Sequence, residues 1–83
     1  MPYIEESRRK ELDTLDQGRK ATTSGELNYM ITRLCLGYLK THKLTYITCN
    51  DIMGALDCAK KEFYRRIITP YEDLKIEANG DVY

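Results

Sequence analysis

The sequence has little of several residue types that build metal centres and catalytic sites. It has no tryptophan, one histidine and three cysteines, Cys35, Cys49 and Cys58. The cysteines are odd in number and show no CxxC spacing, which argues against a disulfide framework and a zinc site. His42 has no second histidine for an HExxH centre, and no calcium loop or glycine-rich phosphate loop is present. We therefore predict no metal, no cofactor and no catalytic residue.

The chain also lacks an excess of one charge and any long apolar run. It carries 13 basic and 13 acidic side chains, for a formal net charge of zero. Nucleic-acid binders normally carry a basic excess, because phosphate contacts dominate their affinity, so a nucleic-acid partner is not expected. No segment approaches the length of a membrane span, and the N-terminus has no signal-peptide core. These features predict a soluble cytoplasmic protein without a membrane partner.

What the sequence does have is helical periodicity within the length of a single domain. We predict one helical domain over residues 1–83, with an N-terminal helix and linker in 1–22 and a core in 23–83. Apolar residues recur at near-helical spacing through residues 3–16, which predicts the first helix. Gly18 and the turn-forming residues that follow it predict the linker.

The second helix shows the clearest pattern of the chain. Thr23 or Ser24 provides an N-cap, and the helix is predicted to end at Thr41 and His42. One face carries residues spaced by four, three and four: Leu27, Ile31, Leu34 and Tyr38. Further apolar residues lie on other sides of this helix, which is typical of a central helix or an oligomer interface. A small core with so broad an apolar helix favours a homo-oligomer over a monomer.

The third and fourth helices are predicted from a mixture of periodicity and cap residues. Residues 43–49 are rich in β-branched and aromatic types, which predicts an extended connector that places Leu44 and Ile47 on the core. Thr48 then begins a third helix as a capping-box residue. The inner stripe of that helix is predicted to contain Ile52, Leu56, Ala59, Phe63 and Ile67.

A short last helix is predicted to begin at Thr69 as cap with Pro70 in its first turn, and to end at Gly80. The predicted fold is thus mainly α: three helices and a short terminal helix, followed by a tail at 81–83. The second and third helices are expected to form a central antiparallel hairpin.

The strongest candidate binding feature is the pair Tyr64 and Arg65. An aromatic ring beside a guanidinium group is able to hold an anionic, ring-bearing ligand by stacking and charge. The alternative is structural, with Arg65 and Arg66 paired to Glu62, Glu72 or the terminal carboxylate.

A metal-dependent nucleotide hydrolase is a further alternative, which would need acidic residues three or four apart on facing helices. The second helix offers only Glu26 for this purpose. The acidic residues of the third helix, Asp51, Asp57 and Glu62, do not form one cluster, so the pattern disfavours a hydrolase.

Several blocks of the sequence carry a resemblance to a known family. They are Gly25-Glu26-Leu27-Asn28-Tyr29-x-Ile31-Thr32, Phe63-Tyr64-Arg65-Arg66, and the segment from Pro70-Tyr71-Glu72-Asp73 to Asn79-Gly80-Asp81-Val82-Tyr83. With these blocks the chain resembles a family of small uncharacterised proteins from bacteriophages and some bacteria. The resemblance brings no established activity with it.

The resemblance implies a phage-infected bacterial cytoplasm and a protein that acts by binding. The C-terminal segment would then fold back on the second helix and form a shared site or interface. The residues implicated are Glu26, Asn28, Tyr29, Tyr64, Arg65, Tyr71, Asp81 and Tyr83. We expect a non-enzymatic binding protein that acts on a host or defence component. The alternatives are an oligomeric sponge for an anionic, nucleotide-like ligand and the hydrolase.

Overall fold

A computed structural model of the chain describes residues 4–16 and 20–83, with the side chain of residue 16 excepted. All regular secondary structure in these residues is helical, and none of them lies in a strand. The predicted all-α class is therefore confirmed. The chain divides into two units, Met1–His42 and Lys43–Tyr83. The antiparallel pairing of the second and third helices stays a prediction.

The first unit contains helix α1, Glu6–Asp16, and helix α2, Ser24–Thr41. The starting residue predicted for the first helix and the glycine at the start of the predicted linker lie outside the described residues. An ion pair from Arg8 to Glu11, 2.8 Å long, joins neighbouring turns of α1. The apolar side chains of this helix remain solvent-exposed, at 41% for Leu12 and 62% for Leu15.

Helix α2 begins with a reciprocal set of cap hydrogen bonds. The Thr23 hydroxyl accepts from the Glu26 backbone N–H at 3.1 Å. The Glu26 carboxylate reaches back and accepts from the backbone N–H and hydroxyl of Thr22 at 3.2 and 3.1 Å. These bonds satisfy donors that a helix N-terminus leaves without partners. Thr23, rather than Ser24, is therefore the cap.

The C-terminal end of α2 lies where the sequence predicts it. The backbone N–H of His42 donates to the Tyr38 carbonyl at 3.0 Å, and the His42 Nδ1 lies 2.9 Å from the same oxygen. The two rings stack with centroids 4.1 Å apart. Local contacts thus close the last turn of the helix.

The second unit begins with helix α3, Tyr46–Phe63, which starts earlier than predicted. Its N-cap is Thr45, whose hydroxyl accepts from the Thr48 backbone N–H at 3.2 Å. The prediction of Thr48 as the cap is wrong, because Thr45 occupies that position first. The extended connector is also wrong, since Tyr46 to Cys49 are helical. Leu44 and Ile47 reach no core and are each 75% exposed.

The helical backbone continues from α3 through a π-helical segment, Tyr64–Ile68, into helix α4, Thr69–Asn79. The Thr69 backbone N–H donates to the Tyr64 carbonyl, five residues back. In a regular α-helix the ring of Pro70 would collide with the carbonyl four residues earlier. The wider π turn directly before Pro70 relieves this collision, so the chain stays helical where the sequence predicts a stop and restart.

The predicted Thr69 cap is accordingly absent: Ile68 occupies the N-cap position of α4, without a side-chain cap bond. The predicted stop at Gly80 is confirmed. Gly80 has a φ of 85°, a conformation that glycine adopts without strain, and its N–H donates to the Ile76 carbonyl at 2.8 Å.

Burial is sparse throughout the described residues. Thr48, at 6% exposure, is the one buried residue among them, and no apolar residue is buried. Most helical stability in proteins comes from the packing of an apolar face rather than from the helix itself. Contacts beyond the local ones described above are therefore required for a stable fold. None of the helices in residues 4–16 and 20–83 is long and apolar enough to cross a membrane.

The cap of α2 makes a prediction for stability. Thr23→Ala removes the acceptor for the Glu26 N–H and should lower the free energy of unfolding by about 1 kcal/mol. Thr32→Ala is the matched control, because its hydroxyl donates to the Asn28 carbonyl in mid-helix at 2.9 Å and caps nothing. Thermal unfolding followed by circular dichroism should show a lower midpoint for Thr23→Ala only. Equal midpoints for the two variants would contradict the assignment of the cap.

Candidate functional site

The predicted pair Tyr64 and Arg65 lies in the π-helical segment. Arg65 and its neighbour Arg66 both form ion pairs with the carboxylate of Glu62. Arg65 Nη2 lies 3.0 Å and Arg66 Nε lies 2.9 Å from Glu62 Oε2. The predicted pairing of Glu62 with Arg66 is thus confirmed. Hydrogen bonds from Arg66 and then from Arg65 lower the pKa of Glu62 below its ordinary value. One carboxylate therefore partly compensates two guanidinium groups.

The two tyrosines of this region each have a charged neighbour. A hydrogen bond to the Glu72 carboxylate, with the charge of that group, raises the pKa of Tyr64 above its ordinary value. The Lys75 ammonium lies 5.5 Å from the centroid of the Tyr71 ring, within the range of a cation–π contact. These contacts restrict the orientations of both rings while leaving them 50% and 58% exposed.

An apolar stripe that the sequence placed inside the fold lies on the surface instead. A π-helical turn contains about one residue more than an α-helical turn. Residues four and eight apart across the π-helical segment therefore lie nearly in line on one face of the helix. The side chains that share this face have exposed fractions of 59%, 56%, 58% and 64%. They form the C-terminal apolar stripe, which consists of Phe63, Ile67, Tyr71 and Leu74.

The predicted inner stripe of α3 is therefore wrong for all its members except Ile52, which is partly buried. The other four members are exposed, Leu56 at 37%. Sequence reasoning missed the stripe because it placed a helix break at Thr69. The apolar residues keep their helical spacing on both sides of Pro70, and this continuity was the signal for an uninterrupted helix with a π turn.

The C-terminal tail is ordered by one local bond. The Tyr83 backbone N–H donates to Asp81 Oδ1 at 2.9 Å, which closes an Asx-type turn. The side chains of Val82 and Tyr83 are almost completely exposed. Asp81 thus positions the chain end, and the Tyr83 ring stays open to solvent.

The three predicted residues of α2 lie in the first unit, apart in the chain from the other five. Glu26 acts in the helix cap, and its hydrogen bonds from Thr22 lower its pKa. The Asn28 carbonyl accepts from the Thr32 hydroxyl, and Tyr29 is 65% exposed. The grouping of these three residues with Arg65, Tyr71 or Asp81 stays a prediction.

The described residues also form a surface depression, whose lining has few polar groups that could bind a ligand. An open depression of about 270 Å³ beside the start of α3 is lined by Leu44, Thr45, Tyr46 and Cys49. Its walls present mainly apolar groups and a thiol. Within the described residues, no group of three or more histidine, cysteine, aspartate or glutamate side chains is arranged to hold a metal ion.

The shared carboxylate of Glu62 makes a prediction for pH dependence. The pKa of Glu62 is lowered in the folded chain. Its ion pairs therefore stabilise the fold at pH values above the ordinary glutamate pKa of about 4.3. This stabilisation is lost as the pH falls through the lowered pKa. Glu62→Gln should lower the thermal midpoint at pH 7 and abolish this part of the acid-induced loss.

The matched control is Glu77→Gln on α4, which makes the same change of charge. No ion pair of Glu77 occurs among the contacts of the described residues. Thermal midpoints measured from pH 7 to pH 3 should show a flatter profile for Glu62→Gln than for the control. Parallel profiles for the two variants would refute the role assigned to Glu62.

Comparisons with known proteins place the chain in one family. A search of curated proteins and a search of solved structures each give no match. One protein-family model, described as a domain of unknown function, matches residues 1–82. This match covers α1 to α4 and every predicted site residue except Tyr83. The chain therefore belongs to the family Domain of unknown function (DUF6899).

Proposed function

We propose that this chain is a non-enzymatic binding protein of the kind that bacteriophages encode. It acts in the cytoplasm of the infected bacterium, where it docks on a protein of the host or of its defence system. The observation that carries the proposal is the C-terminal apolar stripe, in which four large side chains of one helical face are more than half exposed.

The spacing of the stripe suits a recognition mode in which a helix lies in a groove. In that mode an amphipathic helix places apolar anchors, spaced by three or four residues, into a hydrophobic groove of its partner. Phe63, Ile67, Tyr71 and Leu74 have spacings of four, four and three. The partner is accordingly a protein with an apolar groove about three helical turns long.

The neighbours of the stripe reduce the entropy lost on binding. Glu72 restrains the Tyr64 ring, and Lys75 lies over the Tyr71 ring. Tyrosine and arginine are enriched among the residues that dominate binding energy at protein interfaces. Side chains that are already oriented lose less freedom when they enter a partner. Tyr64, Arg65 and Tyr71 therefore have the residue types and the pre-orientation of interface anchors.

The pairing of the arginines favours a protein partner over a small anion. Arg65 and Arg66 both contact Glu62, so an anionic ligand would have to displace or share that carboxylate. A sponge for an anionic, nucleotide-like molecule is the second candidate and would require that displacement. A hydrolase would require a metal-binding cluster, for which the acidic residues of the second unit show no arrangement.

Site-specific photo-crosslinking tests the proposal in bacterial cells. A photoreactive phenylalanine analogue at position 71 should cross-link to one host protein, because this position lies on the stripe. The same analogue at position 73, on a different face of α4, is the control and should give no such product. Mass spectrometry of the excised product identifies the partner.

Affinity measurement with the identified partner completes this test. Tyr71→Ala should weaken binding at least roughly tenfold, as expected for a central aromatic anchor, while Asp73→Ala should change it by less than about threefold. The proposal is wrong if position 71 gives no cross-link to another protein, or if the two variants bind alike. Retention of a nucleotide by the purified chain, lost in Arg65→Ala, would instead support the sponge.

A further inference from the structure

Helix α2 carries its charges on a single line. Its charged residues are Glu26, Arg33 and Lys40, which recur at intervals of seven. Residues seven apart lie within about 20° of one another around a helix. The negative charge is at the N-terminal end of the line, and both positive charges follow it.

The apolar seam of α2 lies directly beside this line. Leu27, Met30, Leu34 and Gly37 have the alternating spacing of three and four that forms the core of a coiled coil. Leu27 is 54% exposed and Leu34 is 66% exposed. A Cβ added to Gly37 would have no heavy atom within 4 Å, so this position is open to an approaching side chain. In the same heptad frame the three charges occupy the flanking positions that set partner orientation.

We propose that a second copy of this chain covers the seam, and that the two α2 helices pair in antiparallel orientation. The commitment to a second copy rests on charge complementarity. Antiparallel pairing centred near Arg33 places Glu26 of each copy beside Lys40 of the other. Among the described residues neither Arg33 nor Lys40 makes an ion pair within its own chain. The interface thus supplies the carboxylate that Lys40 lacks.

The same register fits the sizes of the seam residues. It sets Leu27 of one copy against Gly37 of the other, and Met30 against Leu34. Ile31 of each copy meets its counterpart on the flank opposite to the charges. Large residues facing small ones interdigitate without a void. The register also has one unfavourable feature, because Arg33 faces Arg33 of the second copy.

Parallel pairing offers no comparable stabilisation. In a parallel pair, the charged residues of one copy would lie beside the opposite flank of the seam on the other copy. Ile31 and Tyr38 occupy that flank. No ion pair would form there. The antiparallel arrangement gains two Glu26–Lys40 pairs against one contact between arginines, so it is the favoured orientation. Glu26 retains lone pairs for this purpose beside its bonds from Thr22.

Sedimentation of the full chain at low salt tests the proposal. The wild-type chain should sediment with twice its mass of 9.7 kDa at micromolar concentration. Glu26→Lys and Lys40→Glu should each weaken self-association roughly tenfold or more, because two attractive pairs become repulsive. Arg33→Gln should strengthen it, because the one repulsive contact is removed. Far-UV circular dichroism at high concentration monitors helix content in every variant.

Mixing the two charge-reversal variants separates a lost interface from a folding defect. An equimolar mixture of Glu26→Lys and Lys40→Glu chains restores opposite charges at both positions and should form a heterodimer near wild-type affinity. A damaged helix would not be rescued by mixing. A monomeric wild-type chain, a mixture that stays dissociated, or an Arg33→Gln variant that associates more weakly would each overturn the proposal. The test does not involve the C-terminal apolar stripe, so its failure leaves the proposed function standing.

Discussion

Coverage of apolar side chains is the physical constraint on which this fold depends. The hydrogen bonds and ion pairs described above join residues at most five apart, except for the contact between Tyr64 and Glu72. Such local bonds decide where a helix begins and ends, but each adds only about 0.3–1 kcal/mol. They do not remove the seam of α2 or the C-terminal apolar stripe from water. Hydrophobic burial is the dominant favourable term in folding, so a stable state requires a surface that covers these faces.

The two uncovered faces suit different partners. The seam of α2 has flanking charges that complement those of a second copy in antiparallel orientation. The C-terminal apolar stripe instead carries tyrosines oriented by Glu72 and Lys75, which favours a groove on another protein. The π turn before Pro70 is what aligns the stripe. In this account self-association through the first unit stabilises the chain, and the second unit presents the binding surface.

Local rules in the sequence predicted much of the fold. The limits of α2, the stop at Gly80 and the Glu62–Arg66 pair follow from caps, glycine conformation and helical spacing, all of which act over a few residues. The failures had two physical origins. Thr45 precedes Thr48 as an equally good cap, and the break expected at Pro70 is avoided by a π turn, which only the apolar periodicity that continues across Pro70 indicates. The exposure of Phe63 and Ile67 was missed because burial depends on what covers a face, which periodicity alone does not indicate.

The candidate site was predictable only in part. Residue types identified Tyr64, Arg65 and Tyr71 as binding groups, and the structure supplies the neighbours that orient them. Glu26 has a local role in a helix cap, which its position in the first turn of α2 already suggested. Its grouping with the C-terminal residues depends on contacts distant in sequence, and no local pattern encodes those.

The concentration dependence of thermal unfolding tests the central claim most directly. If association covers the apolar faces, mass action requires the unfolding midpoint to rise with protein concentration. The account predicts a rise of several degrees across a hundredfold increase in concentration, with midpoints followed by circular dichroism. A midpoint that stays constant over that range, with a cooperative transition, would show that each chain covers its own apolar side chains and would contradict the account.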